Sequence, residues 1–360
     1  MEFNRKLILD NGTVLYGRGF GAAKEAVCEL VFNTSTVGYQ ELVSDPGYTD
    51  QAVVMSYPLI GNYGMTDEDF ESRSPLIGAL IVREYNDQPS NFRYTRTLSE
   101  YMEEHGIPGI EGIDTRRLIR MIRDGACHTA VLTDCSADDE AAMERLRAFR
   151  LPRDGARRVS CRKKWYSRTS NPKFRVTVID CGVKQNIIRL LNQKGCNVTV
   201  VPCTSGAEEI LAMRPDGVVF SNGPGSPEDL PEVIGLAKVL RGRLPLFGID
   251  LGHEILALAY GARVVRLPFG AGGDLPVRNI ETGKIKITAQ TNCYAVDRAS
   301  LEGTGLTLTH ENVLDHGCAG LACRADRMIS VQFHPESAPG PQDSEGLFDT
   351  FLQMMSEKGE

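Results

Sequence analysis

The sequence predicts an α/β fold in two domains. The chain has 360 residues, which is long enough for two domains with separate cores. From Phe174 onward, apolar runs of strand length alternate with segments of helical periodicity, a pattern typical of a doubly wound, mostly parallel sheet. The first half instead mixes short strand-like runs with a few amphipathic helices. A basic stretch containing Pro152, Gly155 and Pro172 separates the two halves.

The N-terminal domain is predicted to span residues 1–150 and to mix strands with helices. Its predicted strands are Leu7–Leu9, Thr13–Tyr16, Val27–Phe32, Gln51–Ser56 and Leu76–Val82. The turn residues Asn11-Gly12 and the Gly17–Gly21 cluster predict breaks between the first three strands. Helical spacing predicts one helix over Arg116–Arg123 and a second over Asp138–Phe149. We interpret residues 151–173 as a linker between the domains.

The C-terminal domain is predicted to span residues 174–360. Its strands are expected at Phe174–Ile179, Asn197–Val201, Gly217–Ser221 and Leu246–Ile249. Its helices are expected at Val183–Lys194, Ala207–Met213, Glu232–Leu240 and from Gly252 to a stop at Gly261. Ligands of such sheets bind outside the carboxyl ends of the strands, so the loops that follow these strands are the place to look for a site.

Composition excludes several classes of function. The net charge of −7 does not suggest a nucleic-acid partner, and no apolar run approaches the length of a membrane span. The N-terminus has no apolar signal region. The ten Cys include no C-x-x-C pair, so we expect reduced thiols in the cytoplasm and no metal site.

The stretch from Leu246 to Gly261 predicts a specialised turn. An apolar strand leads into Gly248 and Asp250, Gly252 follows, and a helical segment begins at once. A polar residue flanked at two positions on either side by Gly, between a strand and a helix, is typical of a nucleophile elbow. Such a turn presents its central side chain at a helix N-terminus, where the dipole and free N–H groups stabilise an anion.

Two sets of motifs carry a resemblance to known families. Gly248–Ala259 resembles the elbow of the class I glutamine amidotransferases, and His334-Pro335-Glu336 resembles their distant His and Glu. Residues 31–64 and 109–116 are similar to the N-terminal domain of the small subunit of carbamoyl-phosphate synthase, which other amidotransferases lack. The resemblance covers nearly the whole chain.

The resemblance implies a function and a partner. In that family the small subunit hydrolyses glutamine and passes ammonia to a large subunit, which makes carbamoyl phosphate for the pyrimidine and arginine pathways. It implies that the large subunit is the partner of this chain. It also implies that this chain carries no cofactor, because ATP and Mg belong to the large subunit.

The resemblance also implies which residues form the site. It gives His334 the role of proton carrier and Glu336 the role of orienting that His. The positions implied to contact substrate are Gly47, Gly223, Gly225, Leu251, Glu254, Thr291, Cys293 and Tyr294. At the nucleophile position the family has Cys, whereas this chain has Asp250. We therefore expect the glutaminase to be lost or severely impaired.

Other positions depart from the family pattern in the same pocket. Gly47 stands where the family has a Ser that helps bind glutamine, and Glu254 stands where it has a Gln. Thr291 and Cys293 replace an Asn and a Gly, while Tyr294 keeps an aromatic ring. These changes make glutamine binding doubtful, so a scaffold or regulatory role with ammonia-dependent synthesis is expected.

Two functions of other classes remain open. Asp250 could itself act as the nucleophile of a hydrolase that attacks an sp³ carbon, with His334 and Glu336 completing the set. Alternatively, the altered pocket is a metabolite-binding module with Glu254 or Cys293 as new contacts. As a structural role, we expect Asp250 to cap the helix that follows, worth about 1 kcal/mol, and to pair with protonated His334.

Overall fold

The computed structural model describes residues 3–72, 75–270 and 272–357. These divide into two compact units, one of Met1–Pro152 with Pro268–Gly273 and one of Arg153–Leu267 with Asp274–Glu360. Of the helices in the described ranges, none combines the length and the apolar composition that a bilayer crossing requires.

The first unit is built on a closed barrel. Its elements are β1 (Arg5–Leu9), β2 (Val14–Gly21), β3 (Ala26–Asn33), α1 (Tyr39–Ser44), β4 (Gln51–Met55), β5 (Leu59–Ile60), β6 (Ala79–Ile81), β7 (Glu84–Tyr85), α2 (Leu98–Glu104), β8 (Pro108–Glu111), α3 (Thr115–Arg123), β9 (Thr129–Asp134) and α4 (Asp139–Ala148). The barrel order is β1-β2-β8-β6-β4-β3-β9. Strands β3, β4, β6 and β8 run parallel to one another, and the remaining pairs are antiparallel.

Helices close the core of this unit. Leu118 and Ile122 of α3 pack with the buried barrel residues, and Leu146 of α4 packs against Ile8 and Val131 on β1 and β9. These elements confirm the prediction that the N-terminal domain mixes strands with helices. The predicted break at Gly17–Gly21 is wrong, because β2 continues through it and pairs antiparallel with β8. Pairing with a distant strand overrides the local turn signal.

The second unit follows the alternating pattern. Its elements are α5 (Gly155–Val159), β10 (Trp165–Ser167), β11 (Phe174–Asp180), α6 (Gln185–Gln193), β12 (Cys196–Pro202), α7 (Ala207–Ala212), β13 (Gly217–Phe220), α8 (Pro231–Leu240), β14 (Leu246–Ile249), α9 (Leu251–Ala259), β15 (Val264–Arg266), β16 (Gly273–Asn279), β17 (Ile285–Gln290), β18 (Tyr294–Val296), β19 (Thr307–Asn312), β20 (Cys318–Cys323), β21 (Met328–Val331) and α10 (Gly346–Ser356). The segment interpreted as a linker thus contains α5 and β10, and β10 pairs with β12.

A ten-stranded sheet forms the centre of the described part of this unit, in the order β10-β12-β11-β13-β14-β21-β20-β19-β16-β17. The strands from β12 to β21 in that order are parallel, which confirms the predicted sheet. Alternate residues of β13 enter two cores: Phe220 packs with α8 and α9, whereas Val219 packs with α6 and α10. Helices therefore cover both faces, and the carboxyl ends of β11, β13, β14 and β21 lie side by side.

Candidate functional site

The elbow joins β14 to α9 at Asp250. The backbone of Asp250 has φ 53° and ψ −111°, a conformation that a residue with a Cβ adopts only under strain. The turn also brings α9 against the neighbouring strand. A Cβ on Gly252 would lie 2.1 Å from the carbonyl oxygen of Phe220, so only Gly fits there. The glycine spacing that suggested an elbow thus has a steric reason in the structure.

The side chain of Asp250 does not cap α9. Asp250 occupies the N-cap position, but its carboxylate accepts no capping hydrogen bond, so the predicted capping role is wrong. A capping side chain normally comes from a residue with extended backbone, and the positive φ of Asp250 gives a different geometry. The carboxylate is buried, and Nε2 of Gln332 donates to its Oδ1 at 3.3 Å.

Glu254 lies one helical turn after Asp250 and shares its hydrogen-bond donor. The same Nε2 of Gln332 donates to Oε1 of Glu254 at 2.9 Å. Asp250 is 5% exposed and Glu254 is 2% exposed, so two carboxyl groups meet away from water. Burial and the neighbouring Asp250 raise the pKa of Glu254 well above its usual range, against the lowering effect of the bond from Gln332.

His334 is held between two partners. Its Nδ1 lies 2.8 Å from Oε1 of Glu336, and its Nε2 lies 2.8 Å from Oγ1 of Thr291. A carboxylate only accepts, so Nδ1 carries a hydrogen and Nε2 faces the hydroxyl. Burial and the charge of Lys184 lower the pKa of His334, but Glu336 and Asp250 together raise it, and the pKa lies above its ordinary value. The charge of Asp250 is the smallest of these influences, and the predicted pairing of Asp250 with protonated His334 stays a prediction.

Lys184 completes a buried ionic group that the sequence did not reveal. Its Nζ lies 3.0 Å from Oε1 of Glu336 and donates to the carbonyl oxygen of Ser337 at 2.6 Å. Burial alone would raise the pKa of Glu336, but the charges of Lys184 and His334 lower it to about 2. The Glu336 carboxylate is therefore ionised and fixed, which orients the imidazole.

The loop after β13 approaches the same edge of the sheet. A Cβ on Gly223 would lie 2.1 Å from the carbonyl oxygen of Cys181, so this backbone packs tightly against the loop that follows β11. Gly225 has φ 92° and open space around it. Leu251 is buried at the start of α9. These positions lie at the carboxyl ends of β13 and β14, where the sheet topology predicts a ligand site.

Three further residues that were predicted to contact substrate lie between positions 291 and 294. Thr291 reaches His334, because the bridge between Ala289 and His334 aligns the two segments. Cys293 is half-buried, and its carbonyl oxygen accepts from the backbone of Leu267. Tyr294 is half-buried at the start of β18.

Gly47 belongs to the first unit. It lies in a short turn of 3-10 helix, Pro46–Tyr48, and its N–H donates to Oδ1 of Asp45 at 2.8 Å. In the second unit, Gln332 bonds to both Asp250 and Glu254, and His334 contacts both Thr291 and Glu336. Among the described residues, no three His, Cys, Asp or Glu side chains are placed together to hold a metal ion.

Two residues of the site escaped the sequence analysis. Gln332 is two positions before His334, and alternate residues of an extended segment point to the same side. The position of Gln332 two residues before His334 was therefore the sequence signal that could have placed it in the site. Lys184 follows the end of β11, which β13 and β14 separate from β21 in the sheet, so only the structure shows its contact with Glu336.

The elbow, the His–Glu pair and the parallel sheet define a domain of the class I glutamine amidotransferase type. Residues 177–354 match the family described as "Glutamine amidotransferase class-I", and residues 7–132 match "Carbamoyl-phosphate synthase small chain, CPSase domain". A solved structure of a glutamine amidotransferase from Thermotoga maritima aligns with a TM-score of 0.39 and 18% identity, covering 51% of this chain and 99% of that chain.

Relatives extend the match to the full length. The carbamoyl phosphate synthase small chain of Listeria innocua is 46% identical over 357 residues, covering 99% of this chain and 98% of the relative. The pyrimidine-specific small chain of Halalkalibacterium halodurans is 46% identical over 352 residues, covering 98% of this chain and 97% of the relative. The chain belongs to the carbamoyl-phosphate synthase small-chain family.

Proposed function

We propose that this chain is a carbamoyl-phosphate synthase small subunit whose own glutaminase is lost or severely impaired. It serves as a scaffold or regulatory subunit for a large subunit that takes free ammonia. The observation that carries the proposal is the carboxylate of Asp250 at the central position of the elbow. In the family pattern, that position holds the Cys that attacks glutamine.

Asp250 is a poor substitute for a thiolate. Attack of a carboxylate on a carboxamide forms an anhydride, which is a less stable acyl intermediate than a thioester. An ionised carboxylate also has no proton to transfer to His334, and the Nε2 atom that would receive one already faces Thr291. In triad chemistry, loss of the nucleophile costs on the order of a million-fold in kcat.

The other positions implied to contact substrate are also unsuited to glutamine. Glu254 stands where the family pattern has a Gln, and its carboxyl group shares the Gln332 donor with Asp250. Gly47 lacks the hydroxyl of the family Ser, and Thr291 and Cys293 replace an Asn and a Gly. Several changes among the positions implied to contact substrate support loss of the activity more strongly than one change would.

The partner in this proposal is the large subunit of carbamoyl-phosphate synthase. Full-length similarity to chains named "small chain" supports it, because both matched families are present in order. ATP and Mg belong to the large subunit, and the product would enter pyrimidine or arginine synthesis. We place the complex in the cytoplasm, and the free thiols of the cysteines are compatible with a reducing compartment.

Carbamoyl phosphate formation tests the proposal directly. The chain is purified with and without its large subunit, and product is followed with glutamine or with ammonium as the nitrogen donor. We expect product only with ammonium, together with a rise in the rate or stability of the large subunit when the chain is present. Product from glutamine would overturn the loss of glutaminase, and failure of the two chains to associate would overturn the scaffold role.

The variant Asp250→Cys separates the nucleophile from the binding groups. We expect the single substitution to leave glutamine hydrolysis undetectable, because Glu254, Thr291 and Gly47 still differ from the family pattern. Restored hydrolysis would show that the rest of the pocket is competent. It would then confine the defect to the nucleophile position.

A further inference from the structure

A cavity of about 330 Å³ lies in the second unit, between the outer strands of the sheet and the start of α10. Asn279 of β16, Lys286 of β17 and His310 of β19 line it, and Gly346 and Leu347 line it from α10. Its volume falls within the range of small-molecule sites. None of the positions implied to contact glutamine lines this cavity, so it is separate from the elbow.

The most deeply buried residues of the cavity are apolar. Val277 is 2% exposed and Phe333 is 1% exposed, and Leu347 packs against the core cluster to which both belong. The ring of His310 meets Phe333 edge to face, with the ring centroids 5.6 Å apart. Burial and the charge of Lys286 lower the pKa of His310 to about 4, so this ring is neutral near pH 7 and adds no charge.

The exposed side of the cavity is cationic. Lys284 and Lys286 are two positions apart along an extended segment, so their side chains lie on the same face of the sheet. Nζ of Lys286 donates to the backbone carbonyl oxygen of Asp343, which carries no charge. Among the described residues, no carboxylate pairs with either lysine, and no Asp or Glu lines the cavity. A local excess of positive charge thus persists in a chain whose net charge is −7.

A buried hydroxyl group stands beside these lysines. Ser344 lines the cavity and is 4% exposed, and its hydroxyl has no hydrogen-bond partner within the described part of the chain. Ser344 directly follows Asp343, which receives the bond from Lys286, so a hydroxyl donor and an ammonium group lie close together. Helix α10 begins at Gly346, also in the lining, and places the positive end of its dipole there.

We propose that this cavity binds a small organic phosphate monoester. The phosphate group binds Lys284 and Lys286 and accepts a hydrogen bond from the hydroxyl of Ser344. The organic part of the ligand packs against Phe333 and Leu347. Binding therefore satisfies the free hydroxyl, neutralises the two lysines and covers apolar surface at the same time.

The donors favour a phosphate over a carboxylate. A phosphate monoester carries close to two negative charges near pH 7 and has three acceptor oxygens that point in different directions. Compact ammonium groups and a hydroxyl approach such a group from several sides, whereas a planar carboxylate is matched best by the planar fork of Arg. No Arg is present among the described residues that line the cavity.

This inference goes beyond the proposed function, because it concerns residues outside the elbow. Binding is measured on the full chain without turnover. A chain that proved to be an active glutaminase would overturn the proposed function, while the phosphate site would still be judged by its own titration.

Calorimetric titration tests the site near neutral pH and at constant ionic strength. Phenyl phosphate is the ligand, inorganic phosphate lacks the apolar part, and benzoate replaces the phosphate by a carboxylate. The variants are Lys284→Gln, Lys286→Gln and Ser344→Ala, each of which removes one donor or charge. Lys238→Gln, at an exposed position of α8 in the same unit, is the matched control. The thermal unfolding midpoint of each variant shows that it is folded.

We expect phenyl phosphate to bind saturably at one site per chain, about tenfold or more tightly than inorganic phosphate or benzoate. Each site variant should weaken this binding by about threefold to tenfold, because each removes one hydrogen bond to a charged group. Lys238→Gln should bind like the unaltered chain. Equal binding of phenyl phosphate and inorganic phosphate would overturn the apolar part of the site, and equal binding of benzoate would overturn its preference for phosphate. Unaltered binding in all three site variants, or no saturable binding, would overturn the proposal as a whole.

Discussion

Replacing Glu254 by Gln should make the protein more stable, and the gain should grow with pH. Glu254 is buried beside Asp250, and both burial and Asp250 raise the pKa of its carboxyl group above the ordinary 4.5. Between 4.5 and the folded-state pKa, the folded chain therefore holds a proton that the unfolded chain has released. Folding takes up a proton in that window, so rising pH opposes folding of the unaltered chain. The variant Glu254→Gln carries a neutral amide at every pH, so this proton uptake is absent from it.

The size of the effect follows from linkage. Each pH unit inside the window changes the stability difference by about 1.4 kcal/mol, so the difference grows with pH until the folded-state pKa is reached. Above the folded-state pKa the difference becomes constant. Because the two carboxyl groups interact, the proton belongs to the pair, and Asp250→Asn should reduce the pH dependence as well.

Urea unfolding followed by tryptophan fluorescence measures this difference. Trp165 is the only Trp in the chain and lies on β10 of the sheet in the second unit, so its signal reports on the unit that contains Glu254. The unaltered chain, Glu254→Gln and the exposed control Glu302→Gln are compared at several pH values. A difference between the first two that stays constant with pH would refute the raised pKa, and so would an equal pH dependence in the control.

Three further variants test the geometry of the site by urea unfolding. Gly252→Ala should destabilise the protein by about 3 kcal/mol, because the new Cβ would lie 2.1 Å from a carbonyl oxygen. The control Gly235→Ala has open space around it and should stabilise the protein by about 0.5 to 1 kcal/mol. Equal effects of the two substitutions would contradict the close packing at Gly252. Glu336→Gln should destabilise by about 3 to 5 kcal/mol near neutral pH, because it leaves Lys184 buried without its anion. That deficit should shrink as pH falls from 4.5 towards 2, because the lowered pKa of Glu336 makes its contribution one that acid removes; a deficit independent of pH would contradict it. Asp250→Gly should stabilise by about 1 kcal/mol by relieving the positive φ, and a clear loss would show that the carboxylate makes a net stabilising contact.

Local signals in the sequence predicted much of the second unit. Strand β14 and helix α9 follow from a short apolar run and from helical spacing, which depend on neighbouring residues alone. Strand β8 and the continuation of β2 through its glycines were missed, because each is defined by pairing with the other across a long stretch of chain. The closed barrel is likewise a property of pairing and not of any one segment.

The residues of the site fall into the same two groups, those predicted from local motifs and those defined by contacts between distant segments. The elbow was predicted, because its glycine spacing is local, and His334 and Glu336 were found because they are adjacent in one short motif. The contacts of Lys184 with Glu336 and of Gln332 with Glu254 were not predicted, because each joins two segments that only the sheet brings together. The absence of a cap from Asp250 depends on backbone angles that the residue type does not specify.

The buried contact between Lys184 and Glu336 limits how this chain can change over evolutionary time. Asn186, in the first turn of α6, also donates to the backbone carbonyl of Glu336, so both the loop after β11 and the start of α6 are bonded to the segment after β21. Substituting either charged residue alone leaves the other buried without its counter-charge, so the two positions must change together. A His and Glu arranged as for catalysis can therefore persist in a chain that no longer needs them, and their presence is a poor criterion for activity.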